Sequence, residues 1–144
     1  MASRLATQSF HKNWLLVTAI GIAAFGPFAA LASRPEMSEP ARWALDLLSW
    51  PLDGSITYQP QEMRFLSAIT GGVLFGWGVM IWALRAWVYD VAPEGVRKSV
   101  VFSLLGWFVL DSLGSVLSGT TPNAVFNIAF LILLIGPLWR PAQS

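Results

Sequence analysis

Asp111 stands inside the run WFVLDSLGSVLSGTTPNAVFN, residues 107–127, in which every other side chain is apolar, small or uncharged. On insertion scales an aspartate at a helix centre costs about 2.5 to 3.5 kcal/mol, so it calls for a partner, a water-filled setting or a bound proton. The same run offers partners. With a turn centred on Gly119, residues equidistant from it lie at equal depth, which sets Asp111 opposite Asn127 and Ser115 opposite Asn123. Both pairs are also related by i, i+4 along their own helices, so the four side chains share one seam. At a rise of about 1.5 Å per residue, Asp111 lies on the order of 10 Å below the outer surface. Arg64 begins a preceding span on that same side, with Ser67 and Gly71 on its helical face, and its guanidinium is expected to dip toward the acid. The expected polar cluster is therefore Arg64, Asp111, Ser115, Asn123 and Asn127.

Such a cluster has two uses. It can hold helices together through hydrogen bonds that lipid cannot supply, or it can anchor a ligand, an ion or a transferable proton. Enzymatic chemistry has less support. No second acid accompanies Asp111 in the spans and no serine sits in a nucleophile elbow. Cysteine is absent, which removes thiolate chemistry. The one histidine, His11, is too few for a bis-histidine haem or a zinc site and is expected to lie solvated at the inner interface. Neither a cofactor nor a metal is expected. The chain holds nine basic and eight acidic side chains, so it lacks the basic surplus of a nucleic-acid binder.

The elements that must position the cluster are membrane helices. Hydrophobic residues make up 55% of the 144 residues and charged ones only 12%, so the bilayer is the expected solvent. Crossing it takes about 20 mainly apolar residues. Four stretches qualify: 14–32, 65–88, 99–117 and 122–138. The sequence thus predicts an all-α, single-domain bundle of four transmembrane helices over 1–144. Gly119, a threonine cap and Pro122 make the last two spans a tight hairpin. The outer loop, 33–64, holds a further helix over about 39–50, with Ser38 as its cap, Pro51 as its stop, and Trp43, Leu47 and Trp50 at helical spacing. That pattern suits a helix lying on the membrane surface or one capping the bundle mouth.

Orientation follows from the basic residues. Arg4, Lys12, Arg85, Arg97, Lys98 and Arg140 fall on one side, and Arg34, Arg42 and Arg64, diluted by acids, on the other. The positive-inside rule then places both termini in the cytoplasm, with Trp14, Trp87, Tyr89 and Trp139 as the inner aromatic belt. Residues 1–32 also have the organisation of a secretory signal, ending at Ala30-Leu31-Ala32, an alternative to a retained first helix. Gly26-Pro27 is expected to kink that helix.

In the second span Ala68, Gly72 and Gly76 recur every four residues, the spacing that lets membrane helices approach closely. Trp77 and Trp107 lie deep in their spans as core fillers. The segments FGWG (75–78), WFVLDS (107–112), SG (118–119) and NAVFN (123–127) resemble a group of small bacterial four-helix membrane proteins, similar in outline to the DoxX-like bundles. The resemblance implies a four-helix bundle in a bacterial inner membrane and carries no activity. The function expected is a non-enzymatic accessory or interaction subunit in the lipid bilayer, with protein partners or a homo-oligomer. A small transporter or hydrophobic-ligand binder built on Asp111 is the alternative, and a lipid-modifying enzyme a third class.

Overall fold

The computed structural model describes residues 7–143; Arg4, counted above among the inner basic residues, lies outside them. In chain order the helices are α1 (Gln8–Leu31), α2 (Glu39–Ser49), α3 (Gln61–Ala83), α4 (Pro93–Leu117) and α5 (Thr121–Ile135). A π-helical turn, Leu84–Val88, prolongs α3, and a 3-10 turn, Gly136–Trp139, prolongs α5. With these extensions α1, α3, α4 and α5 are each long and apolar enough to cross a membrane.

The helices associate as two antiparallel pairs, α1 with α3 and α4 with α5. The first pair is the more intimate because its backbones nearly touch. A Cβ added to Gly71 would lie 2.5 Å from the Gly26 carbonyl oxygen, and one on Gly78 would lie 2.6 Å from the Ala19 carbonyl oxygen. Real Cβ atoms do not come that close, so only glycine permits the contact. Ser67 extends the same face by donating its hydroxyl to the Ala29 carbonyl at 2.7 Å. The expected packing residues Ala68, Gly72 and Gly76 do not serve this purpose within the chain. They are exposed, and a Cβ on Gly72 or Gly76 meets nothing within 4 Å among the described residues. The correction is one of helical phase: α1 takes the neighbouring stripe Ser67, Gly71 and Gly78. Through Pro27, α1 continues as a single helix.

α5 joins the first pair through its carbonyls. Pro137 lacks the N–H that the Leu133 carbonyl would otherwise receive. The Trp14 indole donates to that carbonyl at 3.2 Å, and Thr18 Oγ1 donates to the next one, Leu134, at 2.8 Å. Gly136, at φ +44°, sits against the Trp14 ring with no room for a side chain. The main core, including Leu15, Ile81, Val100, Leu104 and Leu138, gathers in the half of the bundle that carries the chain ends. Trp77 packs against it and stacks at a tilt on Trp107, ring centroids 6.3 Å apart. Phe65, Val73, Phe102, Leu110 and Ile132 face outward, as lipid-facing residues do.

The loop between α1 and α3 has its own small core of Ala32, Ala41 and Tyr58, with Leu45, Ile56 and Met63 against it. Burial pushes the Tyr58 phenol above its ordinary range. Buried Asp46 accepts the Gly54 N–H at 3.0 Å and so ties α2 to the chain that follows it. Several expectations need correction here. Ser38 does not cap α2 with its side chain, because its hydroxyl donates to the Pro35 carbonyl at 2.8 Å. At the other end of the bundle Tyr89 is buried and donates to the Gln8 carbonyl at 3.2 Å, so it is no belt residue. His11 is 1% exposed, not solvated, because α1 starts a turn and a half before Trp14 and carries it under the end of α5.

Gly71→Ala should destabilise the protein in detergent by about 1 to 3 kcal/mol through overpacking. Gly72→Ala, one residue along, should leave stability unchanged or raise it by up to about 1 kcal/mol, since alanine is the better helix former and the space is open. Thermal unfolding of the two variants separates the faces; equal effects would contradict this assignment of the α1–α3 contact.

Candidate functional site

The α4–α5 turn sets the register of the polar seam. Gly119 takes φ +83°, and two bonds close the end of α4: Gly119 N–H to the Val116 carbonyl at 3.1 Å and Thr120 N–H to the Ser115 carbonyl at 2.8 Å. This is the Schellman pattern, in which a left-handed glycine allows the last carbonyls to be satisfied. The expected threonine cap is absent. Thr120 occupies the cap position, but its hydroxyl donates back to the Ser115 carbonyl at 3.1 Å.

From this turn four of the five expected residues come together. Asn127 Nδ2 donates to Asp111 Oδ2 at 2.7 Å, and Asn123 Nδ2 donates to Ser115 Oγ at 2.8 Å. Those are the two pairs that equal depth requires. Asn123 Nδ2 also reaches Asp111 Oδ2 at 3.2 Å, so two amides converge on one carboxylate oxygen. Ser115 in turn donates to the Asp111 carbonyl at 2.7 Å. Asn127 is 2% exposed, and Asp111 and Asn123 are half-buried.

Sequence reasoning missed Ser112, whose hydroxyl receives Asn127 Nδ2 at 3.2 Å. Its signal was adjacency: an amide with two N–H groups opposite Asp111 can divide them between residue 111 and its neighbour.

Arg64 is the member that does not join. Its Nη1 donates to the Tyr58 carbonyl at 3.2 Å and to the Gln59 carbonyl. The reason is topological: α3 packs chiefly on α1 and meets α4 deeper in the bundle, at Trp77 and Trp107, so Arg64 at its start turns to the non-helical segment that leads into its own helix. There the carbonyls have no helical donors.

The seam's chemistry is that of an acceptor held by amide donors. The Ser115 proton points at a backbone carbonyl rather than at a base, so the serine is not an activated nucleophile. Among the described residues no group of three or more histidine, cysteine, aspartate or glutamate side chains is placed to hold a metal ion.

Replacing Asp111 by alanine leaves the buried Asn127 amide short of its closest acceptor, and should cost about 1 to 3 kcal/mol of stability. Asp111→Asn keeps an oxygen for the two amides and should cost clearly less. Arg64→Gln combined with Asp111→Ala should be additive within about 0.5 kcal/mol. Chemical or thermal unfolding in detergent measures all three; a strong coupling between residues 64 and 111 would restore the arginine to the cluster.

No family model, curated protein or solved structure matches the chain.

Proposed function

We propose that this protein is a non-enzymatic accessory or interaction subunit of a membrane assembly. It spans a bacterial inner membrane four times in DoxX-like outline, with both termini cytoplasmic. The observation that carries the reading is the unused stripe of α3. Ala68, Gly72 and Gly76 lie exposed between Phe65, Ile69, Val73 and Met80, and among the described residues nothing lies within 4 Å of a Cβ built on either glycine. In lipid there is no hydrophobic drive for helices to meet, and close backbone approach at small residues supplies much of the attraction. The α1–α3 contact illustrates what a small-residue stripe on this helix can accept. The free stripe is thus suited to a transmembrane helix from a partner or a second copy.

Two further features support the membrane setting. Trp43 and Trp50 project from α2 and its end, 60% and 61% exposed, a placement suited to the outer interface. The seam at Asp111 makes its hydrogen bonds within its own hairpin. That favours helix association over a transport or ligand-binding role for the acid.

The double variant Gly72→Leu/Gly76→Leu is the direct test. Native mass spectrometry of the protein released gently from its host membrane should show the assembled species reduced at least tenfold, while unfolding of the isolated chain stays as stable as wild type. An unchanged assembly would contradict the proposal.

A further inference from the structure

The Asp111 carboxylate is held on one side only. Asn123 Nδ2 and Asn127 Nδ2 both donate to Oδ2, at 3.2 and 2.7 Å, and among the described residues no group donates to Oδ1. Oδ1 is not sealed inside the hairpin either. The one buried side-chain nitrogen or oxygen without a partner among the described residues is His11 Nε2, so Oδ1 reaches the surface of the chain. A carboxylate oxygen has room for two donors, and two amides on its neighbour fix the group so that the open oxygen stays presented.

The helices leave this part of α4 uncovered. One turn from Asp111 toward the chain ends, Trp107 meets Trp77 of α3. Beyond that pair the two helices part: Thr70, seven residues before Trp77 and so on the same face of α3, is exposed, and the main contact of α3 is with α1. One turn from Asp111 in the other direction Gly114 is exposed, and a Cβ there meets nothing within 4 Å among the described residues. A backbone can therefore approach α4 closely beside the acid. At about 1.5 Å per residue, Asp111 lies on the order of 10 Å inside the end of α4 that carries the Gly119 turn.

At that depth hydrocarbon offers the oxygen no donor, and acids inside spans pair with a cation or another polar group. The chain brings no cation to it. Lys12 pairs with Asp90, Arg42 with Glu39, and Arg97 and Lys98 with Glu94, while Arg64 donates to the Tyr58 and Gln59 carbonyls. A second copy repeats the same residues and has the same lack. We infer that Asp111 is the docking point for a transmembrane helix of a different protein, one that carries a lysine or arginine at the depth of Asp111, with the cation donating to Oδ1 and the helix backbone passing over Gly114. This contact, which rests on the role of interaction subunit, lies on α4 and is separate from the α3 stripe.

The test uses the full chain, labelled with a donor dye on one cysteine added at its C-terminus, in phosphatidylcholine vesicles at neutral pH. Its partners are leucine-alanine transmembrane peptides with an acceptor dye, identical except for one lysine, glutamine or leucine about 10 Å below one interface. Energy transfer should show the lysine peptide associating at least about tenfold more tightly than the leucine peptide, with glutamine between them. This comparison needs no variant of the protein. Asp111→Asn keeps an oxygen for the two amides, so it should remain folded by thermal unfolding and lose the lysine preference. Gly72→Leu/Gly76→Leu should keep that preference, so failure of the α3 stripe and failure of this contact are read separately. Equal binding of the lysine and leucine peptides, or a preference that survives Asp111→Asn, would overturn the proposal. Association between two labelled copies that Asp111→Asn abolishes would overturn it too, assigning the contact to a second copy.

Discussion

The near-contact of two backbones along Gly26, Gly71 and Gly78 governs the rest of the bundle. Because α1 and α3 meet without intervening side chains, α1 is held along most of its length and presents Trp14, Thr18 and Phe25 to α5 from a fixed position. The same contact decides which face of α3 is spent. Ser67, Gly71 and Gly78 turn inward, and Ala68, Gly72 and Gly76 are thereby turned out, where they are left for another helix. It also carries Arg64 away from the α4–α5 hairpin.

Hydrogen-bond satisfaction in an apolar solvent explains the remaining polar residues. Each one near the bundle's interior answers a backbone or side-chain group that lipid would leave unpaired. Trp14 serves the carbonyl orphaned by Pro137, Ser67 serves Ala29, and Asn123 and Asn127 serve Asp111. Asp111 is therefore one member of a hairpin that meets its Oδ2 from within. His11 breaks the pattern: among the described residues its Nε2 is the one buried side-chain nitrogen or oxygen without a hydrogen-bond partner.

Much of this was legible from spacing alone. The four spans, the helix inside the loop, the turn at Gly119 and the Asp111–Asn127 and Ser115–Asn123 pairings follow from hydropathy length, turn chemistry and helical rise, which are local rules. What sequence could not supply was the choice among helix neighbours. Two small-residue stripes on α3 differ by a single position, and nothing local tells which of them α1 will take. Arg64 was misplaced for the same reason, as its reach toward Asp111 presumes that the start of α3 lies beside α4. Tyr89 and His11 read as interfacial from their position near the ends of spans. They are buried because the C-terminal segment, through Pro137 and Leu138, folds back over them.

The central claim is that α3 divides into an internal and an external small-residue face. The natural chain is free of cysteine, so single cysteines can be placed at 67, where serine is nearly isosteric, and at 68, 72 and 76 in intact membranes. A thiol-attached photo-crosslinker, which captures a partner or a second copy alike, should trap intermolecular products from 68, 72 and 76 and none from 67. Products from 67, or from none of the four, would contradict the division.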